Sequence, residues 1–172
     1  MTITPDTKDW TWVLERPCPE CGFDSRTITG RDVPALLRAN VAKWPALLAD
    51  PSARERRKPD TWSPLEYACH VRDVFRIYTV RLGLMLDEDD PAYPNWDQDE
   101  TAVSQGYGEQ DPAAVGAELV AAGEALAAAF EAVPDDAWKR TGTRSDGAAF
   151  TVETFARYFV HDPVHHLHDV SA

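Results

Sequence analysis

The histidines near the C-terminus are the residues whose types and spacing best suit chemistry. Four of the chain's five histidines lie in the segment YFVHDPVHHLHDV, residues 158–170. His161 and His165 are four residues apart, so on a helix both imidazoles lie on one face and can reach one cation. His168 follows on roughly the same face, whereas His166 is rotated by about one helical step and points elsewhere. The spacing favours a metal site that contains His161 and His165.

Two helical histidines do not complete a catalytic metal site, which usually has three protein ligands and an open position. His70 lies in the first half of another predicted helix. Because helix bundles build metal sites from side chains that face one another across the core, His70 is the candidate third ligand. His168 is a candidate fourth ligand. The imidazoles also need carboxylates to orient them, and the candidates are Asp73, Asp162 and Asp169.

The histidine cluster also has a plainer explanation. A helical histidine can be an ordinary core or surface residue, and a terminal cluster can bind metal fortuitously. The residues alone leave both interpretations open. Pro163 lies between the paired histidines; it removes the hydrogen bond to the Phe159 carbonyl and predicts a kink in the helix.

Amphipathic segments must position these side chains. Four stretches show apolar residues at three- and four-residue steps, and no alternation of strands and helices is present. These stretches cover residues 30–48, 64–86, 112–133 and 151–170. The pattern predicts an all-α four-helix bundle, with a single domain over residues 1–172 and an irregular N-terminal extension over residues 1–29.

The second predicted helix has the clearest start. Ser63 suits the N-cap, Pro64 the first helical position and Glu66 the third, which together form a capping box. Residues 87–110 are predicted to be a long acidic loop, and a loop of this length is often functional. Residues 141–150 form a turn-rich connector that could contain a short hairpin.

Composition narrows the functional classes. The chain has 172 residues, with 17 basic and 29 acidic side chains and a formal charge of −12. We therefore expect no nucleic-acid partner, because such binding needs basic residues that neutralise phosphates. No apolar run approaches the roughly 20 residues of a membrane span, and the N-terminus does not resemble a secretory signal. These features predict a cytoplasmic protein with no membrane partner.

Cys18 and Cys21 form one Cys-x-x-Cys pair in the extension. A zinc ribbon would need a second such pair, and only Cys69 remains. A redox pair of the thioredoxin type would need strand–helix context, which is lacking. We predict a tight turn with reduced thiols, while a metal or redox role stays open.

Two quoted segments resemble one family. TWSPLEYACHVRDV is similar to the start of the second helix in the DinB superfamily (the YfiT-like metal-dependent group), where a Trp-Ser pair precedes a histidine. YFVHDPVHHLHDV resembles that family's closing helix with its His-x-x-x-His pair. The resemblance spans roughly Gly30 to the C-terminus. It implies a divalent metal, zinc or nickel, on His70, His161 and His165, and frequently a homodimer.

The resemblance also implies an activity. The N-terminal extension is similar to that of an actinobacterial branch of the family. DinB-like proteins include transferases that use low-molecular-weight thiols such as mycothiol, so the expected function is a thiol S-transferase that acts on a small-molecule electrophile. A cation with open positions can equally activate water, which makes a metal-dependent hydrolase the alternative. A non-catalytic metal-binding stress protein is the third hypothesis.

Overall fold

The computed structural model describes residues 3–171 and shows a four-helix bundle, as predicted, together with a small three-stranded sheet that was not predicted. The helices are α1 (Val33–Val41), α2 (Trp44–Leu48), α3 (Pro64–Asp87), α4 (Gln98–Ser104), α5 (Pro112–Glu131) and α6 (Val152–Ser171). The strands are β1 (Ala92–Tyr93), β2 (Thr141–Arg144) and β3 (Ala149–Thr151). The long helices of the bundle are α1 with α2, then α3, α5 and α6.

The start of α3 is the predicted capping box. The Glu66 backbone N–H donates to Ser63 Oγ at 3.2 Å, and the Ser63 backbone N–H donates to Glu66 Oε2 at 2.8 Å. Arg56 pairs with the same carboxylate. These contacts satisfy backbone donors that a helix start otherwise leaves unpaired, and they fix the end of the helix that carries His70.

The first predicted helix is broken into α1 and α2. Pro45 lies in the first turn of α2 and has no N–H to donate to the Val41 carbonyl, so one continuous helix cannot form. Trp44 Nε1 donates to Asn40 Oδ1 at 3.0 Å, and Asn40 Nδ2 donates to the Pro163 carbonyl at 2.7 Å. This buried chain of hydrogen bonds ties α1 to α6.

Residues 87–110 are not wholly loop, contrary to the sequence prediction. They contain β1 and α4, and Asp97 caps α4 by accepting from the Glu100 backbone N–H at 2.9 Å. β1 pairs in parallel with β2, and β2 pairs antiparallel with β3. The hairpin suggested for residues 141–150 is therefore present, and α4 packs against α3.

Close packing of α5 depends on Gly123. A Cβ there would lie 2.3 Å from Val41 Cγ1 and 3.1 Å from Phe75 Cε2, so a larger residue would force α5 away from α1 and α3.

By length and composition alone, α5 could cross a membrane, which corrects the expectation that no apolar run is long enough. Its alanines account for that apolar character, and Leu119 and Leu126 are fully buried in the core.

The N-terminal extension packs along α6. Ser25 Oγ donates to the Val13 carbonyl at 2.6 Å, and Arg157 Nε of α6 donates to the Ser25 carbonyl at 2.8 Å. Both Val13 and Ser25 are buried. The extension is irregular, as predicted, and it forms part of the body of the domain.

Candidate metal centre

Helix α6 presents two pairs of potential ligands that are offset by one residue. One pair is His161 and His165, and the other is Asp162 and His166. Since successive helical residues are rotated by about 100° at 3.6 residues per turn, the two pairs form adjacent stripes that face different neighbours. Among the described residues, these stripes belong to two separate groups that could hold a metal ion.

The first group brings together His70, Asp162 and His166, whose ligand atoms lie within 4.8 Å of one another. Asp162 Oδ2 is 3.3 Å from His70 Nε2 and 3.6 Å from His166 Nε2. Metal bonds of about 2.0–2.2 Å at tetrahedral angles would separate two such ligands by about 3.4 Å. The observed distances fit a shared cation better than charge-assisted hydrogen bonds, which are about 2.7–2.9 Å long.

Unsatisfied polar atoms support the same interpretation. His70 is fully buried, and neither its Nδ1 nor the buried Asp162 Oδ1 has a hydrogen-bond partner among the described residues. Buried polar atoms are nearly always paired, so atoms like these call for an explanation such as an ion. The donor set of two imidazoles and one carboxylate matches that of catalytic zinc sites.

Neighbouring side chains hold the imidazoles of this first group in place. Asp169 Oδ2 is 3.0 Å from His166 Nδ1, which leaves His166 Nε2 to face Asp162. The Trp96 ring stacks on His70 with a centroid separation of 5.4 Å, and the Trp62 ring is 5.2 Å away. A carboxylate thus orients one imidazole, and two aromatic rings hold the other.

The charges in this group favour an ionised carboxylate. Burial alone would raise the pKa of Asp162, but His70 and His166 outweigh it and hold that pKa well below its ordinary value. Burial alone would lower the pKa of His166, yet Asp162 and Asp169 raise it to about 9. Asp162 is therefore an anion at neutral pH and can serve as a ligand to a hard or borderline cation, whereas His166 is protonated in the metal-free chain and would release its proton on binding a cation.

The second group contains Cys18, Cys21, His161 and His165, again with ligand atoms within 4.8 Å of one another. Cys18 Sγ lies 3.6 Å from His165 Nδ1. His161 Nε2 is buried and has no hydrogen-bond partner among residues 3–171. The cysteines come from the N-terminal extension, so this group joins the extension to α6.

Burial dominates the titration of the second group. It lowers the pKa of His161 to about 4, with the neighbouring His165 adding to the effect. It also lowers the pKa of His165 and raises the pKa of the Cys21 thiol to about 11. Both imidazoles are therefore neutral at neutral pH, which is the form that binds metal.

The ligand set expected from the sequence is divided between the two groups. The first group contains His70 from α3, whereas His161 and His165 lie in the second group. The physical reason is rotation: the face of α6 turned toward α3 carries the stripe that begins at Asp162. Asp162, expected either as an additional ligand or as an orienting carboxylate, lies among the potential ligands of the first group.

Two further candidates lie outside both groups. His168 is exposed on α6. Asp73 accepts hydrogen bonds from the Tyr107 hydroxyl at 2.6 Å and from Arg72 Nε at 2.9 Å. These contacts account for Asp73 without a metal.

Sequence reasoning set aside two features that the structure brings into the groups. His166 directly follows His165 and is therefore rotated away from the face of His161 and His165, as expected, but this rotation turns it toward His70. Cys18 and Cys21 were compared with a zinc ribbon and with a redox pair, but not with the histidines of α6. The cysteine pair and the pair His161 and His165 each have the internal spacing of a Cys2His2 zinc site, but 139 residues separate Cys21 from His161, against about 12–15 in the usual pattern, so spacing did not link them.

The first group lines a cavity of about 840 Å³. The walls come from the N-terminal extension, α3, the segment that leads into α4, the end of β2 with the turn after it, and α6. They include Tyr67, Arg81 and Tyr158 besides the three potential ligands. His161 and His165 also line this cavity, whereas Cys18 and Cys21 do not.

The fold and these groups define a four-helix bundle with histidine, carboxylate and cysteine side chains placed to hold metal. The chain belongs to the DinB superfamily, whose family model matches residues 35–170. The family resemblance seen in the two histidine-containing segments is thereby confirmed. None of the curated proteins matches the chain.

A solved structure is similar over nearly the whole chain. It is that of YfiT from Bacillus subtilis, described as a probable metal-dependent hydrolase with an unusual four-helix bundle topology. The match has a TM-score of 0.64 at 20% identity and covers 99% of this chain and 92% of that one. At this identity the likeness establishes the fold.

Proposed function

We propose that this protein is a divalent-metal-dependent enzyme whose cation is held by His70, Asp162 and His166. The observation that carries the proposal is the convergence of these three donors on the wall of the large cavity. This assignment replaces His161 and His165 of the sequence-based ligand set with Asp162 and His166. Zinc suits two imidazoles and a carboxylate, and nickel also accepts imidazole ligands.

The cation would act as a Lewis acid and lower the pKa of a thiol or a water beside it. Side chains of the protein set up the reaction. Asp169 fixes the orientation of His166, while Trp62 and Trp96 shield His70 from water. Burial raises the pKa of Tyr67 to about 12, so its hydroxyl stays protonated at the cavity wall and can donate a hydrogen bond or a proton.

The first candidate reaction is transfer of a low-molecular-weight thiol such as mycothiol to a small electrophile. The size of the cavity supports it, since pockets of about 300–1,000 Å³ suit ligands of drug size. In attack on an epoxide, the sulfur forms a bond to carbon, the carbon–oxygen bond breaks, and the oxygen takes up the proton that the thiol released. No external oxidant or reductant is needed.

Most charged side chains that line the cavity are acidic, but Arg81 offers a local site for an anionic group of the substrate. Arg81 is buried at the wall, donates to the Pro94 carbonyl at 2.8 Å and lies over the rings of Tyr78 and Tyr93. It forms no ion pair with a carboxylate of the described residues. Because a buried charge usually needs a partner, a carboxylate or phosphate of the substrate would be well placed there.

Hydrolysis is the second candidate, with water as the nucleophile in place of the thiol. It is favoured by the donor set, which is that of zinc hydrolases, and by the description of YfiT. The two reactions require the same residues, so they have to be separated by assay.

The test uses metal-loaded protein with two substrates. Mycothiol is offered with a model epoxide that bears a carboxylate, and a carboxylate-bearing ester is offered without thiol. Conjugation that requires mycothiol supports the transferase, and cleavage of the ester supports the hydrolase. Metal binding without turnover of either substrate would overturn the enzymatic proposal and favour a non-catalytic metal-binding protein.

We also propose a cytoplasmic location, which suits three free cysteines and a thiol cosubstrate. Its partners would be the small-molecule substrate and the thiol, without nucleic acid or membrane. The homodimer stays a prediction of the family resemblance, and size-exclusion chromatography with light scattering would test it.

A further inference from the structure

We propose that Cys18, Cys21, His161 and His165 form a structural zinc site, separate from the proposed catalytic cation, which fastens the N-terminal extension to α6. Two thiolates and two imidazoles are a common donor set of structural zinc. The inference does not depend on the reaction proposed above, because it uses different ligands.

Distances inside the group fit tetrahedral zinc. A Zn–S bond of about 2.3 Å and a Zn–N bond of about 2.0–2.1 Å, at the tetrahedral angle, place sulfur and nitrogen about 3.6 Å apart. Cys18 Sγ and His165 Nδ1 are separated by that distance, 3.6 Å. The unpartnered, buried Nε2 of His161 gives an independent sign that a ligand belongs there.

The turn that carries the cysteines is built to hold both sulfurs together. The Cys18 N–H donates to the Phe23 carbonyl at 2.8 Å, and the Gly22 N–H donates to the Cys18 carbonyl at 2.9 Å. Gly22 has φ of +75°, in the left-handed region that glycine adopts without strain.

Surrounding groups close the site. Glu20 Oε2, on the cysteine turn itself, is 3.4 Å from His165 Nε2 and can orient the imidazole. The Trp10 ring lies 5.5 Å from the rings of both His161 and His165 and covers them. With four protein donors and such a cover, the site leaves no position for substrate, as in structural zinc sites.

The N-terminal extension also contributes to the wall of the cavity. Residues 3–10 and Glu20 form part of the wall beside the proposed catalytic group. Zinc on the cysteine turn would therefore hold one wall of the cavity in place. Its loss should loosen that wall without removing His70, Asp162 or His166.

The experiment measures metal content and a sulfur-specific signal in untagged protein. Loaded with Co2+, the wild-type chain should show thiolate-to-metal charge-transfer absorption in the near ultraviolet. The double variant C18A/C21A should lose this absorption and about one equivalent of zinc. H70A/H166A should keep both, and C69A is the matched control because Cys69 is buried but belongs to neither group.

Absence of the absorption in the wild-type chain, or unchanged zinc content in C18A/C21A, would overturn the proposal. Thiol alkylation followed by mass spectrometry covers the case in which C18A/C21A fails to fold. In the H70A/H166A background, Cys18 and Cys21 should resist alkylation with zinc and react after chelation. Equal labelling of the two cysteines with and without zinc, while Cys69 stays protected, would also refute the site.

Discussion

The two groups of potential ligands share one helix but are built for different tasks. The group at His70 has nitrogen and oxygen donors, three protein ligands and one side on the cavity. The group at Cys18 has sulfur and nitrogen donors, four protein ligands and a tryptophan cover. Zinc proteins make the same division between catalytic sites, which keep an open position, and structural sites, which are closed. Donor type and ligand number therefore distinguish the two groups, because the histidines of both line the cavity.

Removing His70 should have the largest effect and should separate the groups. We expect H70A to lower activity by more than about 100-fold, since even the loss of a residue that only orients a ligand costs about 10–100-fold. The zinc bound by the cysteine group should remain. Steady-state assays with metal analysis of the same sample test this prediction, and H168A is the matched control on α6. Activity retained in H70A would show that catalysis does not use this group.

Asp169 offers a way to perturb both groups unequally. Its Oδ2 is 3.0 Å from His166 Nδ1 but 3.8 Å from His165 Nε2, which also faces Glu20. We expect D169N to weaken metal binding at the His70 group by about 10–100-fold and to change the cysteine group less. Competition titrations with a metal chelator measure both affinities.

The control for D169N is D73N, because Asp73 lies outside both groups. Equal weakening of the two sites in D169N would mean that the carboxylate acts through α6 as a whole. No change at either site would remove Asp169 from the proposed orienting role.

Variants of Arg81 test whether the group at His70 acts on an anionic substrate. A hydrogen bond to a charged group contributes about 1.5–3 kcal/mol, so R81Q should raise KM for a carboxylate-bearing substrate by roughly tenfold or more. The conservative variant R81K should recover part of the loss. Kinetics with the matching amide substrate provide the control, and an equal rise in KM for the neutral amide would argue against recognition of the anion.

The smallest effect is expected at the start of α3, away from both metal groups. Burial tends to raise the pKa of Glu66, but hydrogen bonds from Arg56 and from the Ser63 N–H lower it below its ordinary value. E66Q keeps the capping contact, because glutamine also serves at this position, but it loses the charge that pairs with Arg56, so it should reduce the free energy of unfolding near neutral pH by about 1 kcal/mol or less. Metal content should not change.

The contribution of Glu66 to the free energy of unfolding should depend on pH. Because its pKa is lower in the folded chain, its contribution is present above the unfolded pKa of about 4.3 and is lost as the pH falls through the folded pKa. Urea unfolding of wild type and E66Q at neutral and acidic pH tests this. A gap that does not narrow in acid would contradict it, and E109Q, at an exposed glutamate, serves as the control.

Local sequence signals predicted much of the fold. The capping box at Ser63 and the proline after Asp111 mark helix starts because the interactions involved lie within a few residues of one another. The break at Pro45 was missed although its cause is also local: the missing N–H of proline interrupts a helix that the apolar pattern would allow to continue.

The site was predicted less fully, for a different reason. The sequence pointed to α6 and His70 as sources of potential ligands, and the structure places these side chains in the two groups. However, two pairs on α6 have the same four-residue spacing, and the choice between them depends on how far α6 is rotated about its axis relative to α3. That rotation is set by packing of the whole core, so spacing alone could not assign the pair. The cysteine turn could not be linked to His161 and His165 from spacing either, because 139 residues separate Cys21 from His161 and only the packing of the extension on α6 brings them together.

The one-residue offset between the two pairs makes α6 more sensitive to its length than to many of its side chains. Inserting or deleting one residue between Phe155 and His161 would turn the remainder of the helix by about 100°. The stripe of His161 and His165 would then turn away from the cysteines, and the stripe of Asp162 and His166 would turn away from His70. Changes in chain length should therefore be excluded from this stretch of α6 even where individual substitutions are tolerated.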